Sequence, residues 1–356
     1  MFLVCLSHFG IFHLARGGAL GTAQLIAHLA IPATTTFMLV SGVVLGILFE
    51  QTRDRAALAT KLFNRGLFLL APGHLLIRMA HFREIAAEPS SAHWWFVTDT
   101  IGFGLLLCSW LVPRSSTRQR LALGAGVYVG SWLLYLMWSA HGQLLTMKDY
   151  LLGEPQSLRT GVVFPVLPWL AFYVAATVLG RRIAIWHREG RDLSRLLFML
   201  ALPALGVAAL GHVTHWFIHA PGLRAMLTAG QKYPPGPSYV AFGSGVALLL
   251  LAGTAWLERR AQVVRLRAGF ALIGRTSLVV FVIQYYIYYL GVPYLHLPVT
   301  RFWPLYFTVT LALIYASARL WERYLGNRYL TVGWPWFTRP QHGSKLEPAP
   351  GKNHLP

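Results

Sequence analysis

The chain has 356 residues, of which 55% are hydrophobic and only 12% are charged, whereas an ordinary soluble domain carries about 25% charged residues. This composition excludes water as the main solvent of the folded chain. The formal net charge of +19 would suggest nucleic-acid binding in a soluble protein. Here the arginines stand in short connections between apolar runs, so no nucleic-acid partner is expected.

Apolar runs close to the length that crosses a bilayer, about 20 residues, follow one another along the chain. Lipid offers no hydrogen-bond partners to backbone groups, so these runs are predicted to be helices and the fold to be all-α. The prediction is a polytopic helical bundle in the inner membrane, with about ten transmembrane helices in one domain, residues 1–337. In chain order the spans are 1–14, 28–49, 66–82, 93–112, 121–140, 161–180, 196–218, 239–257, 270–292 and 303–320.

The basic residues predict the orientation of these spans. The second, fourth, sixth and eighth connections carry twice as many arginines and lysines as the odd-numbered connections, and basic loops remain in the cytoplasm. Both termini are therefore predicted to be cytoplasmic. Residues 338–356 are rich in proline, glycine and charge and are predicted to form a disordered cytoplasmic tail.

Histidines concentrate near the external ends of the predicted helices, while His8 and His74 lie deeper. Histidine exchanges protons near neutral pH, so this side is a candidate site for acid–base chemistry. The alternative is that membrane interfaces favour amphipathic rings. His212, His215 and His219 share one helical face, but no motif of Cys, Asp or Glu accompanies them, and no metal is expected.

Asp99 is a carboxylate placed well inside a predicted span. An ionisable group in the bilayer usually faces a partner or a water-filled path, so Asp99 is a candidate catalytic residue with His8, His13 or His93 as its expected partner. A structural cap or a helix-to-helix hydrogen bond is the alternative. Arg275, about one turn inside its helix, can snorkel to the headgroups or bind a phosphate or carboxylate.

Seven short segments occur in an order that resembles a known family. They are LVCLSHFG (3–10), FMLVSGVVLG (37–46), KLFNRGLFLL (61–70), TDTIGFGLLL (98–107), VFPVLPWLAFYVAATVLG (163–180), KYPPGPSYVAFGSG (232–245) and IGRTSLVVFVIQ (273–284). Together they resemble the transmembrane acyltransferase superfamily, in particular its heparan-α-glucosaminide N-acetyltransferase-like branch, related to the acyltransferase 3 family. The resemblance covers most of the chain.

The resemblance implies transfer of an acyl group, acetyl above all, from cytoplasmic acyl-CoA to a hydroxyl or amine of a carbohydrate or envelope glycan on the far side. It implies that His8 is a general base towards the acceptor or receives the acyl group itself. It assigns Arg65, which follows the Ser-Gly turn of Ser41 and Gly42, to the donor, and Arg275 to the late Gly-Arg-x-Ser-Leu motif.

Further residues are expected on the two sides of the membrane. Basic side chains after the second span would attract the donor phosphates; they are Arg53, Arg55, Lys61 and Arg65. Of the histidines on the external side, three are predicted to bind the acceptor: His13, His212 and His215.

The chain departs from the family pattern at two places. Gln284 stands where relatives often have histidine, which removes a titratable group from that helix. The Arg, Asp and Arg-Gly that relatives carry ahead of the first-helix histidine are missing before His8. The first helix is therefore predicted to be incomplete: either the start codon is misassigned, or the protein lacks part of the donor site and is inactive.

Two other classes of function stay open. A proton-coupled transporter or lipid flippase would use Asp99 and the membrane histidines as a proton relay. A b-type haem or quinone protein would use histidines on facing helices as axial ligands.

Overall fold

The computed structural model of the chain describes residues 1–15, 18–87, 94–139, 141–153, 164–230, 232, 234–260, 264–291, 302–324 and 326–330. These residues form helices joined by short connections, and no strand occurs among them. The prediction of an all-α fold is confirmed. The tail predicted at 338–356 lies outside the described residues.

The helices alternate with short connections along the whole described chain. The α-helices are α1 (Phe2–Phe9), α2 (Leu20–Leu29), α3 (Ala33–Gln51), α4 (Arg55–Phe68), α5 (His74–Ala80), α6 (Phe82–Ala87), α7 (Val97–Arg114), α8 (Thr117–Met137), α9 (Gln143–Leu151), α10 (Val166–Arg188), α11 (Leu193–Thr214), α12 (Pro221–Leu227), α13 (Pro237–Glu258), α14 (Val264–Arg275), α15 (Ser277–Tyr285) and α16 (Trp303–Arg323). Wider, π-helical turns continue α1, α4 and α15 at Gly10–Ala15, Leu69–Gly73 and Tyr286–Gly291.

Several of these helices are long and apolar enough to cross a membrane. Among the described residues they are Leu20–Gln51, Thr117–Met137, Val166–Arg188, Leu193–Phe217 and Pro237–Glu258, and a further candidate is Ala268–Arg275 with Ser277–Gly291, a pair bent by 73°. These helices support a polytopic membrane protein. The other predicted spans overlap α1, α4 with α5, α7 and α16, which fall short of that length or apolarity.

Helices α3 and α10 pack with their backbones almost in contact. Gly42 and Gly46 are four residues apart and share one face of α3. A Cβ on Gly42 would lie 2.8 Å from the Tyr173 carbonyl oxygen, and a Cβ on Gly46 would overlap the carbonyl of Thr177. Gly180 of α10 meets the backbone of α3 in the same way. Small residues let membrane helices approach this closely, so the sequence of α3 sets its distance from α10.

Helices α11 and α13 form a second closely packed pair, joined at their ends by an ion pair. Asp192 caps α11, since its Oδ1 accepts a hydrogen bond from the Arg195 N–H at 3.1 Å. Arg259 donates from Nη2 to Asp192 Oδ1 at 2.6 Å and from Nη1 to Oδ2 at 2.9 Å. The hydrogen bonds from Arg259 above all, and that from Arg195, hold the pKa of Asp192 below its usual value.

Helix α1 is wedged against α15 and α16 by aromatic side chains. Phe9 is completely buried, and its ring centre lies 6.0 Å from that of Tyr288 and 5.3 Å from that of Phe307. Cys5 is buried on the same helix, and both it and Cys108 are free thiols in the core. Burial of Phe9 therefore fixes the position of its neighbour His8 relative to α15.

Candidate functional site

The π-helical turns described above flank a group of polar residues inside the bundle. The first turn follows His8, the second ends next to His74, and the third follows Gln284 and Tyr285. Such turns are rare and occur frequently at functional sites. Pro72 lies within the second turn and is a local cause for it, because proline has no N–H to donate to the regular helix.

His8, the predicted catalytic histidine, is held by α15. Its Nδ1 donates a hydrogen bond to Oε1 of the fully buried Gln284, with 2.9 Å between the two atoms. Because an amide oxygen only accepts, the proton of the neutral ring is on Nδ1 and the lone pair is on Nε2. No hydrogen bond from a described residue reaches that Nε2. His8 is therefore oriented so that Nε2 can take a proton or an acyl group.

Aromatic rings connect His8 to a second histidine. The ring centre of His8 lies 4.9 Å from that of Tyr285 and 5.8 Å from that of Tyr289. His81 lies against the same two tyrosines, at 5.2 Å and 4.1 Å. Its Nδ1 donates to the Ile77 carbonyl oxygen at 3.0 Å. The two histidines thus share one aromatic wall.

Asp99, the other predicted catalytic residue, lies in the first turn of α7 and is fully buried. Its Oδ2 accepts hydrogen bonds from the Phe96 N–H at 2.7 Å and from His74 Nδ1 at 2.9 Å. Its Oδ1 is buried and has no partner among the described residues. Asp99 is therefore both a helix cap and half of a histidine–carboxylate pair.

The partner of Asp99 differs from the expected ones. The sequence favoured His8, His13 or His93, whereas the described structure pairs Asp99 with His74. The reason is the π-helical turn Leu69–Gly73 before α5, which packs against α7. It brings His74, the residue that follows the turn, to the start of α7. His93 lies outside the described residues.

The Phe96 ring lies between His74, the partner of Asp99, and His81, which shares an aromatic wall with His8. Its ring centre lies 5.5 Å from that of His74 and 5.1 Å from that of His81. His8 and Asp99 therefore lie in one group without a direct bond to each other. We call this group the histidine cluster; it comprises His8, His74, His81, Phe96, Asp99, Gln284, Tyr285 and Tyr289.

Lys232 is close to the histidine cluster and was not singled out from the sequence, where it is simply one charge of an external connection. Its ammonium nitrogen lies 4.7 Å from the ring centre of Phe164, and it is within electrostatic range of His8. It begins the segment KYPPGPSYVAFGSG, which is the only signal that could have found it. A cation here can attract an anionic substrate group or a developing oxyanion.

Arg65, the predicted donor contact, is half-buried and near Tyr173. The Tyr173 hydroxyl is 3.1 Å from the hydroxyl of Ser41. Three of the seven motif segments therefore meet at this point. Arg65 forms no ion pair with a described residue, and a guanidinium in that condition can receive a phosphate or carboxylate.

Two other predicted donor residues have different surroundings. Arg53 is exposed in the connection between α3 and α4. Arg275 Nε donates to Glu322 Oε1 at 2.6 Å, and its carbonyl oxygen accepts from Asn327. The charge of Arg275 is thus already balanced by α16.

The three predicted acceptor histidines do not lie together. His13 is buried against Phe9, with 4.9 Å between the ring centres, and its Nε2 has no partner among the described residues. His212 is exposed and stacks on the buried His215, whose Nδ1 donates to the His212 carbonyl oxygen. Among the described residues, the other ring contact of this pair is with Trp216, and neither histidine contacts the histidine cluster there.

Among the described residues, no group of three or more His, Cys, Asp or Glu side chains could hold a metal ion. Comparisons of the chain with protein families, with curated proteins and with solved structures find no match.

Proposed function

We propose that the chain is an integral membrane acyltransferase that moves an acyl group, acetyl above all, from cytoplasmic acyl-CoA to a hydroxyl or amine of an extracytoplasmic carbohydrate or envelope glycan. The observation that carries the proposal is the bond between His8 and Gln284. It leaves Nε2 of a half-buried histidine free for chemistry. A general base or an acyl-accepting nucleophile needs this arrangement.

Both proposed roles of His8, general base and nucleophile, give a chemically balanced acyl transfer. As a base, Nε2 takes the proton of the acceptor hydroxyl or amine while that oxygen or nitrogen attacks the thioester carbonyl; the carbon–sulfur bond breaks and the thiolate then receives the proton. As a nucleophile, Nε2 attacks the thioester carbonyl first, the carbon–sulfur bond breaks and the thiolate leaves. The acceptor hydroxyl or amine then takes the acyl group from Nε2, and its proton goes to the thiolate. We assign the stabilisation of the oxyanion, which forms in both routes, to Lys232, because this residue is within electrostatic range of His8.

The donor would enter from the cytoplasmic side. Arg65 offers it a half-buried guanidinium that has no ion pair with a described residue, and Arg53 adds an exposed charge at the entrance. Arg275 is paired with Glu322, so we assign it first to holding α14 against α16 and only second to the donor.

The proposed topology has ten spans in the inner membrane and both termini in the cytoplasm. Its support is the overlap of each predicted span with a helix of the described chain, together with the distribution of basic residues. A reporter fused near His187 is expected to read as cytoplasmic, and one near Gly230 as external. The opposite result would overturn this topology.

The experiment supplies membranes containing the protein with labelled acetyl-CoA and measures label transferred to the glycan fraction of the envelope. His8→Ala is expected to lower the rate by about 10²-fold or more, the usual contribution of a positioned base. His187→Ala, which removes an exposed histidine at the end of α10, is the matched control and should transfer normally. Full transfer by His8→Ala would show that His8 is not catalytic.

A second candidate function is a proton-coupled transporter or flippase, which the pair of the half-buried His74 and the buried Asp99 favours. Chains of Asp, Glu and His residues inside membrane proteins form the proton relays of pumps and transporters. In that case Asp99→Asn abolishes proton uptake by proteoliposomes, and neither the wild-type protein nor His187→Ala consumes labelled acetyl-CoA.

A further inference from the structure

A small cleft lies away from the histidine cluster, where the end of α3 meets the start of α4, the junction of α7 with α8, and α10. Its volume is about 100 Å³. Its polar wall consists of Glu50, Arg55, Ser115, Arg120 and Arg181. Three cations and one anion therefore surround a space that is too small for a whole drug-sized ligand, whose pockets start at roughly 300 Å³.

Glu50, the single carboxylate that lines the cleft, already forms ion pairs with two arginines. Glu50 Oε2 accepts from Arg181 Nε at 3.1 Å, and Glu50 Oε1 accepts from Arg188. Arg181 also donates from Nη1 to the Thr117 hydroxyl at 2.9 Å. Glu50 thus forms its ion pairs with Arg181 and Arg188, and no described carboxylate forms an ion pair with Arg55 or Arg120.

These ion pairs do not explain the burial of Arg120. It is only 2% exposed, and Nη1 donates to the Thr177 hydroxyl at 3.0 Å, while its Nε has no hydrogen-bond partner among the described residues. No carboxylate of the described chain forms an ion pair with it. A buried charge without an ion pair is strongly unfavourable, so an anion that entered the cleft would stabilise the folded protein.

We propose that this cleft binds a phosphate monoester group. Arg55 and Arg120 supply two positive charges that the described chain does not balance, and a phosphate monoester carries about −1.5 to −2 charges at neutral pH. A guanidinium also matches phosphate oxygens in geometry. The exposed Arg55 stands at the rim, and the rest of the ligand extends outside the cleft. The site holds whether or not the chain transfers acyl groups.

The first test uses inorganic phosphate as the probe and the purified full-length chain in a neutral detergent. Its unfolding temperature is measured in sodium phosphate and in sodium chloride at equal ionic strength. Phosphate should stabilise the wild-type protein and also Arg118→Gln, which removes an exposed arginine two residues before Arg120 on the same helix. In Arg120→Gln the apparent affinity for phosphate should fall about tenfold or more, since one charged hydrogen bond is lost.

A second variant tests the site independently, in case Arg120→Gln does not fold. Ser115→Glu adds a carboxylate to the wall of the cleft and supplies the missing counter-charge from within the chain. It should raise the unfolding temperature in chloride and abolish the effect of phosphate. Failure of phosphate to stabilise the wild-type protein, or equal stabilisation of Ser115→Glu and wild type, overturns the proposal.

Two further arms distinguish the sources of the phosphate. CoA carries a 3′-phosphate monoester that dephospho-CoA lacks, and phosphatidate carries a monoester where phosphatidylglycerol carries a diester. A preference for CoA that Arg120→Gln removes identifies a water-soluble ligand; a preference for phosphatidate that Arg120→Gln removes identifies a lipid headgroup. Equal affinity for both members of both pairs overturns the assignment to a monoester.

Discussion

Gln284 and His8 are 276 positions apart in the chain, yet Oε1 of Gln284 lies 2.9 Å from Nδ1 of His8 and joins α15 to α1. The amide nitrogen of Gln284 is buried without a partner among the described residues. The bond to His8 is therefore the polar contact that a substitution of Gln284 would remove.

We predict that Gln284→Leu lowers kcat for acyl transfer about tenfold to a hundredfold and leaves KM for acetyl-CoA unchanged, because the ring of His8 is no longer held in one tautomer and orientation. Gln284→Glu keeps an acceptor oxygen and should recover most of the activity. Gln51→Leu, at an exposed glutamine of α3, is the control. A change in KM alone would contradict a positioning role.

Two substitutions distinguish the contribution of Asp99 as a helix cap from the contribution of its negative charge. Asp99→Leu leaves the buried Phe96 N–H without an acceptor and should lower the free energy of unfolding by about 1–3 kcal/mol. Asp99→Asn retains an acceptor oxygen and should lose less. Both are measured by thermal unfolding in detergent.

The neighbouring Thr98 offers a matched control for that measurement. Its hydroxyl is buried and has no hydrogen-bond partner among the described residues, so Thr98→Val should cost little. If Asp99→Leu is no less stable than Thr98→Val, Asp99 does not cap α7.

The partner of Asp99 shows where sequence patterns stop being informative. Apolar length was enough to predict an all-α membrane protein, and the isolated carboxylate was enough to mark Asp99. The choice of His74 depends on the π-helical turn Leu69–Gly73, which packs against α7 directly before His74. Hydrophobic periodicity carries no signal for an extra residue in one turn, apart from Pro72 within it.

Arg120 is a second residue that the sequence alone could not distinguish. It stands among the arginines of a basic connection, where the positive-inside pattern accounts for every charge equally. Only the packing of α8 on α10 buries it. By contrast, the motif segments that contain Ser41, Arg65 and Tyr173 were already grouped by resemblance, and the structure places those side chains near one another.

Arg65 provides a test of the donor site. Arg65→Ala should raise KM for acetyl-CoA by about tenfold or more, because one guanidinium contact to an anion is worth about 1.5–3 kcal/mol, and should leave KM for the acceptor unchanged. Arg182→Ala removes an exposed arginine of α10 and serves as the control. Weaker acceptor binding with normal donor use would contradict the role proposed for Arg65.

The contact between α3 and α10 leads to a stability prediction. Gly46→Ala places a methyl group on the Thr177 carbonyl and should lower the free energy of unfolding by about 1–3 kcal/mol, the usual cost of overpacking. Gly126 of α8 has open space around it, so Gly126→Ala should be neutral or gain up to about 1 kcal/mol from helix propensity. Equal unfolding temperatures for the two variants would contradict the close approach of α3 and α10.

The ion pair of Asp192 with Arg259 predicts a pH dependence. The pKa of Asp192 is lowered in the folded protein, so its ionised form stabilises the fold above the unfolded pKa of about 3.9, and this stabilisation is lost as pH falls through the lower folded value. Asp192→Asn keeps a side chain that caps helices well but removes the charge. The wild-type protein should therefore unfold at a higher temperature than Asp192→Asn at pH 7, and the gap should close in strong acid.

Asp54→Asn is the control for this pH series. Asp54 caps α4 through the Ala57 N–H at 2.9 Å and forms no ion pair with a described residue. Both partners of the Asp192 pair are largely exposed, so its effect should also shrink at high salt, where surface charges are screened. A gap between wild type and Asp192→Asn that persists unchanged in acid and in salt would mean that the cap, and not the charge of Arg259, accounts for the contribution of Asp192.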